Sequence, residues 1–266
     1  AGATPWLAAA VPPRVKVWSN RNGVLELEDL KGMLDESTKL VQVSLVSFLN
    51  GHRIEWVPFR NLVRAKAPNA ILAVDVTQAF GRVDLDCLDA DCIISSTHKW
   101  ILALHGGCVV SIPKAKADRL TPHAGGWYHL QDAFGENRFK RAKPNRGAAG
   151  FSVGMPNFAS IYALRAGLEF IEGVGVAAIE NHATPLVEFL HGELVGAGFQ
   201  PMAPLQPGNM SGIVSFRHPK AEQIQTALLE RNVHVMHQAG RMRVSVHGYN
   251  QPEDVERFLE VLRKFS

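Results

Sequence analysis

Four apolar runs of strand length occur in the first 112 residues, and stretches of helical period separate them. The runs cover residues 41–47, 70–75, 92–96 and 107–112, and a helix is predicted at 57–67. Strands that are almost continuously apolar are buried on both faces, which is typical of a mostly parallel sheet joined by crossovers. The pattern therefore predicts an α/β domain.

The pattern changes after residue 112. Residues 113–156 are rich in Gly, Pro and His and are irregular, which predicts functional loops over the sheet. Helical period returns from Asn157, is broken at Gly173 and Gly175, and continues at 177–194. A smaller α+β unit follows, with strands at 212–216 and 242–246 and helices at 221–231 and 253–264. We predict a large domain at 1–165, then a linker helix and a small C-terminal domain at 166–266.

Composition indicates an ordinary globular chain. Of 266 residues, 46% are hydrophobic and 20% are charged, and no apolar run is long enough to span a bilayer. The net charge of +3 is small, and the basic cluster at 138–146 lacks an aromatic-interleaved motif, so we expect neither membrane nor nucleic acid as a partner. Three cysteines without metal-ligand spacing fit a reducing compartment, which predicts a cytoplasmic protein.

Two side chains of opposite charge follow neighbouring predicted strands. Asp75 ends the run at 70–75, and Lys99 follows the run at 92–96. Ligands of open parallel sheets bind at the carboxyl ends of the strands, so the two could converge on one crevice. Spacing alone equally allows a turn-forming Asp75 and a surface lysine at Lys99.

Longer stretches around these residues resemble the class V aminotransferases. This family of pyridoxal 5'-phosphate (PLP) enzymes of fold type I includes cysteine desulfurases and isopenicillin N epimerase. The similar stretches, in chain order, are 43–51, VDVTQ at 74–78, STHKW at 96–100, GGW at 125–127, FSVGMPNF at 151–158 and RVSVHGYN at 243–250, followed by Glu253 and Asp254. The resemblance covers nearly the whole chain in one order.

The resemblance implies a role for each matching position. Lys99 is expected to form the internal aldimine with PLP and then to carry a proton between the substrate α-carbon and the cofactor. Asp75 is expected to pair with the pyridine nitrogen, and Gln78 to hydrogen-bond the phenolic oxygen of the ring. Ser96 and His98 are expected to contact the cofactor phosphate, and Arg243 is expected to bind a substrate carboxylate. Arg241, on the same strand face, is expected to be a solvated neighbour.

Three departures from the family pattern bear on the reaction. Residues 228–242 contain no cysteine, whereas the desulfurase branch carries a nucleophilic cysteine shortly before the C-terminal arginine. Met155 replaces a threonine that donates to the phosphate from the partner subunit, and Phe48 stands where many members have asparagine. We therefore expect an aminotransferase-type reaction on an amino acid or related amine, with a PLP-dependent lyase or epimerase as the alternatives.

A further hypothesis concerns completeness. Family members have a longer N-terminal portion that contributes to phosphate binding, so we interpret the chain as N-terminally incomplete, with weakened PLP binding on its own. This leaves open a catalytically silent fragment or pseudoenzyme. A site completed by a second subunit around Gly154 would imply a homodimer.

Overall fold

The computed structural model describes residues 2–122, 125–206 and 210–266, and its first half builds a four-stranded sheet. The strands are β1 (Leu40–Ser44), β2 (Ile71–Asp75), β3 (Cys92–Ser96) and β4 (Cys108–Ser111), in that spatial order. The first three are parallel, and β4 runs antiparallel to β3. The prediction of an α/β fold with a mostly parallel sheet is confirmed.

The central strand β2 explains why the sheet is buried. Leu72, Ala73 and Val74 are consecutive and all buried, so neither face of this strand meets water. Three helices precede or connect the strands: α1 (Thr4–Leu7), α2 (Leu27–Met33) and α3 (Trp56–Lys66). The buried face of α3 adds its aromatic side chains to the same core, which fixes the carboxyl ends of β2 and β3 beside each other.

The middle of the chain is irregular, as predicted, and leads into two long helices. It contains three 3₁₀ turns (Lys114–Arg119, Trp127–His129, Gly147–Phe151) and a short hairpin of β5 (Leu130–Gln131) and β6 (Lys143–Pro144). The helices α4 (Phe158–Val174) and α5 (Val176–Gly196) are separated only by Gly175, whose φ of 87° ends α4. Gly173 was predicted to break the helix as well, but it lies inside α4.

The C-terminal part forms a second sheet and a second core. Its elements are β7 (Ile213–Arg217), α6 (Ala221–Leu229), β8 (Met236–Gln238), β9 (Arg241–Ser245) and α7 (Pro252–Leu262). The antiparallel order is β7–β9–β8, and α5, α6 and α7 cover one face of it. Pro252 in the first turn and a capping box between Gln251 and Asp254 start α7 where the sequence predicts it. No helix in the described ranges combines the length and apolar character needed to cross a bilayer.

Polar side chains join the two cores along one seam, which we define as the loops 47–53, 78–84 and 99–101 against residues 202–206, 210–213 and 241–248. Many of the bonds across the seam end on main-chain carbonyls. Ser211 Oγ donates to the Gly51 carbonyl at 2.7 Å, and Arg82 Nε donates to the Val246 carbonyl at 2.9 Å. Arg82 is fully buried, and burial lowers the pKa of its guanidinium to about 10. The candidate site lies on this seam.

Candidate active site

The loops that follow β2 and β3 are tied together at the carboxyl edge of the sheet. The Thr77 amide donates to Asp75 Oδ1 at 2.8 Å, which turns the chain immediately after β2. The hydroxyl of Thr77 in turn accepts the Ser96 amide at 3.0 Å. Asp75 and Ser96 therefore occupy the same sheet edge, and Asp75 forms the turn that the sequence alone allowed for it.

A second bond connects the same two loops. The indole Nε1 of Trp100 donates to Gln78 Oε1 at 2.8 Å, and both side chains are buried. Because the carbonyl end of the Gln78 amide is engaged, its NH₂ end is the one left to donate to another group. The sequence analysis included Trp100 in a motif but gave it no role.

Lys99 projects from the loop after β3 toward the second core. Its Nζ lies 5.8 Å from the ring centroid of Phe48, and the side chain is only half-buried. Burial, and then the positive charge of Arg243, lower the pKa of the Lys99 ammonium. A lowered pKa increases the fraction of neutral amine, which is the nucleophilic form.

Arg243, on β9, also lies near the ring of Phe48. Its guanidinium carbon is 4.3 Å from the ring centroid, and Nη1 donates to the Phe48 carbonyl at 3.3 Å. The Nε of Arg243 is buried and has no hydrogen-bond partner in the described part of the chain, and no carboxylate there pairs with the guanidinium. Burial, followed by the charge of Arg241, lowers its pKa. A buried donor without a partner is costly, so the position suits an anionic ligand.

Arg241 is not the solvated neighbour that the sequence analysis expected. It is only 3% exposed, and its Nη1 donates to the Leu49 carbonyl at 2.6 Å. The loop after β1 comes within reach across the seam, and its main-chain oxygens satisfy the guanidinium. Arg241 therefore anchors the Phe48 loop and leaves Arg243 facing the crevice.

His98 stacks on a residue that the sequence analysis did not consider. Its ring centroid lies 3.7 Å from that of His105, with an interplanar angle of 19°. Burial, then the nearby His105 and Lys99, lower the pKa of His98. No spacing rule pairs two histidines seven residues apart in a loop, so the sequence offered no signal for this contact.

Two other residues singled out in the sequence lie away from this crevice. Asn50 is held in the seam, where its Nδ2 donates to the carbonyls of Gly23 (2.7 Å) and Met202 (3.2 Å). Met155 is 70% exposed, and Tyr128 donates to its sulfur at 3.7 Å. Hydrogen bonds thus link Asp75 to Ser96 through Thr77 and link Gln78 to Trp100, while Lys99 and Arg243 both lie near the ring of Phe48. The grouping of Asp75, Gln78, Ser96, His98, Lys99 and Arg243 into one site is the proposal made below.

Comparison with known proteins shows the family of the chain. The profile of the family described as Aminotransferase class-V matches residues 1–258. The uncharacterized aminotransferase YcbU of Bacillus subtilis is 25% identical over 248 residues, which are 92% of this chain and 65% of YcbU. A probable cysteine desulfurase of Pyrococcus abyssi is 29% identical over 280 residues, 98% of this chain and 68% of the relative. The chain thus spans about two thirds of the length of these relatives.

Solved structures are similar over the same extent. The apo structure of a cysteine desulfurase from Thermococcus onnurineus superposes with a TM-score of 0.81 at 25% identity, covering 94% of this chain and 65% of the other. The variant of C-DES that has glycine covalently linked to its PLP cofactor superposes with a TM-score of 0.74 at 21% identity, covering 89% of this chain and 63% of that one. This second likeness concerns the fold.

Proposed function

Because the chain belongs to the class-V aminotransferase family of PLP enzymes, we propose that its site binds PLP on Lys99 and acts on an amino acid or related amine. The single observation that carries the proposal is that Lys99 and Arg243, two positively charged side chains, lie near the same ring, that of Phe48. The pKa of the Lys99 amine is lowered, and the half-buried Arg243 guanidinium has no anionic partner among the described residues, its Nε being buried and unpaired. An α-amino acid carries the carboxylate that this guanidinium lacks.

The donor set fits PLP itself. The aldehyde of the cofactor requires an amine, and its pyridine nitrogen requires a carboxylate. Its phenolic oxygen and its dianionic phosphate each require hydrogen-bond donors. Lys99, Asp75, the NH₂ of Gln78, and Ser96 with His98 supply these groups. The free NH₂ end of the Gln78 amide is the specific feature that favours this assignment, since its other end is occupied by Trp100.

Each residue then has a defined task. When bound, PLP supplies an electron-withdrawing ring that weakens the C–H bond at the α-carbon of the substrate. Asp75 keeps a proton on the ring nitrogen, Gln78 stabilises negative charge on the ring oxygen, and Ser96 and His98 hold the phosphate. Lys99 Nζ accepts the α-proton as a general base and returns it, while Arg243 orients the substrate through its carboxylate.

An aminotransferase-type reaction is the version that we favour, and a PLP-dependent lyase or epimerase is the alternative. The relatives include one named as an aminotransferase and others named as cysteine desulfurases. A desulfurase-type reaction is disfavoured because residues 228–242, which lead into the strand of Arg243, contain no cysteine. Of the three cysteines, Cys87 and Cys92 are buried, and burial raises the pKa of both thiols.

The working form is proposed to be a homodimer. Several large apolar side chains between residues 127 and 162 are exposed on one chain, and exposed apolar side chains are candidates for a protein–protein interface. They are Trp127, Phe134, Phe139, Met155 and Tyr162. The 151–158 stretch, which the resemblance assigns to the subunit interface, belongs to this part of the chain.

The test uses the protein expressed from its complete gene and incubated with PLP. We expect a yellow protein, and reduction with borohydride followed by peptide mass spectrometry should locate the cofactor on Lys99. Lys99→Ala should abolish both the visible absorption and the modified peptide, because Lys99 is the proposed attachment point of the cofactor. The matched control is Lys31→Ala, an exposed lysine paired with Glu28, which should bind PLP normally. A colourless protein with no modified peptide would overturn the enzyme proposal and support a pseudoenzyme.

A further inference from the structure

We propose that Trp100 is a positioning residue of the site: its indole holds one end of the Gln78 amide so that the other end is presented to the ring oxygen of the cofactor. The inference rests on the proposed function and extends it to a residue that touches neither cofactor nor substrate. Its basis is the 2.8 Å bond from Trp100 Nε1 to Gln78 Oε1.

The chemistry of the indole removes the usual ambiguity of an amide. A glutamine can rotate its amide by half a turn and exchange a carbonyl oxygen for an NH₂ group at the same place. An indole N–H donates and cannot accept, so it bonds only the carbonyl end. While this bond holds, the NH₂ of Gln78 is fixed on the far side, where it can donate to an anionic oxygen.

Trp100 is itself held rigidly by the second core. The ring of His247 stacks on the indole with centroids 5.5 Å apart, and its Nε2 donates to the Trp100 carbonyl at 3.0 Å. His247 Nδ1 accepts the Gly248 amide at 2.7 Å, so both ring nitrogens are committed and the imidazole is neutral. Burial keeps the pKa of His247 below its usual range, which agrees with this state.

Small residues let the indole fit this closely. A Cβ at Gly212 would overlap the six-membered ring of Trp100, and a Cβ at Gly81 would lie 2.8 Å from its carbonyl oxygen. The backbone of both cores therefore approaches Trp100 to a distance that side chains would prevent. A residue packed in this way has little freedom, and so it can impose one orientation on Gln78.

The expected consequence is a change in the acid–base behaviour of the bound cofactor. A hydrogen bond to the ring oxygen favours its ionised form and lowers the pH at which the visible absorption band of the bound cofactor changes. Without the indole N–H, the Gln78 amide can turn over and this donation is lost for part of the time. Trp100→Phe keeps most of the ring packing but removes the donor.

The experiment is a pH titration of the visible band in the PLP-loaded protein. We expect Trp100→Phe and Gln78→Leu each to move the midpoint upward, by up to about one pH unit for Gln78→Leu, the effect of one charge-assisted hydrogen bond. The double variant should move no further than Gln78→Leu alone, because Trp100 acts through Gln78. Trp6→Phe is the matched control: it deletes a 2.8 Å indole-to-glutamine bond of the same kind at an exposed position and should leave the midpoint unchanged.

A second measurement tests the bond without cofactor. In the PLP-free protein, the indole N–H of Trp100 should exchange with deuterium slowly, and Gln78→Leu should accelerate this exchange. An unchanged exchange rate, an unmoved midpoint in Trp100→Phe, or strictly additive shifts in the double variant would overturn the inference. Failure of the unsubstituted protein to develop a visible band would instead contradict the proposed function, and with it any role of Trp100 toward the cofactor.

Discussion

At the scale of single residues, the site is characterised by positive charges that lack anionic partners. Arg241 is satisfied by main-chain oxygens of the Phe48 loop, whereas Arg243 and Lys99 share the ring of Phe48 and no carboxylate. The positive charge of Arg243 adds to burial in lowering the pKa of the Lys99 ammonium. The reactivity of Lys99 therefore depends on a residue 144 positions away.

Removing this charge should change the titration of Lys99. We expect Arg243→Met to raise the pKa of the Lys99 ammonium, since the second cause of its depression disappears. The neutral amine is then lost at a higher pH than before, so reaction with an amine-specific reagent in PLP-free protein should reach half its maximum at higher pH. Peptide mass spectrometry would follow Lys99 alone. Arg165→Met, which removes an exposed arginine paired with Glu169, should not move the curve.

The same position should govern affinity for the substrate. Arg243→Met removes the proposed carboxylate partner, and truncating one member of a buried charged pair costs about 2–5 kcal/mol. The apparent affinity of the PLP-loaded protein for amino acids should fall by roughly 30-fold or more, as measured by titrating the visible band. Amines without a carboxylate should be affected much less, and equal losses for both would contradict the assignment.

At the scale of elements, helices meet the catalytic loop through glycines. Gly167 on α4 is buried against the loop that carries Lys99, and a methyl group there would overlap the Ile101 carbonyl oxygen. Gly192, near the C-terminal end of α5, has open space around it. Both glycines have a helical backbone, each in its own helix. The difference that matters is the atoms that an added Cβ would meet.

This difference predicts opposite effects of one substitution. Gly167→Ala should lower the free energy of unfolding by about 1–3 kcal/mol, because an overpacked contact against backbone must move the helix or the loop. Gly192→Ala should raise it by about 0.5–1 kcal/mol, through helix propensity alone. Urea unfolding at neutral pH measures both. A stabilising Gly167→Ala would show that α4 does not bear on the Lys99 loop.

At the scale of the whole molecule, the proposed dimer surface is open to a direct test. The protein should have twice the molar mass of one chain by light scattering, and a Phe134→Asp, Tyr162→Asp double variant should be monomeric, because two buried charges would be left without partners in the interface. The control is Leu88→Asp. It introduces the same charge in place of an apolar side chain that is 70% exposed and lies outside the proposed interface. Dissociation of the control, or a dimeric double variant, would exclude this surface.

The fold was largely predictable because its signals are local. The bounds of β3 match the predicted run, and the α4–α5 break falls at a predicted glycine. The strand β8 was missed, since its three residues contain no apolar run. In the site, the motifs place Asp75 and Lys99 at neighbouring strand ends, but the burial of Arg241 and the contacts of Trp100 depend on loops that are more than 140 residues apart. No local pattern encodes such contacts, and the roles of the site residues remain predictions.

The hydrogen bonds of the seam determine how the molecule should respond to a change in ionic strength. Arg82, Arg241 and His247 end on main-chain carbonyls inside the protein, where mobile ions do not reach, so salt should leave the relative position of the two cores unchanged. The attraction that Lys99 and Arg243 exert on an anion in solution extends through water and is screened. Raising the salt concentration should therefore slow the capture of a carboxylate ligand, while the crevice that receives it keeps its shape.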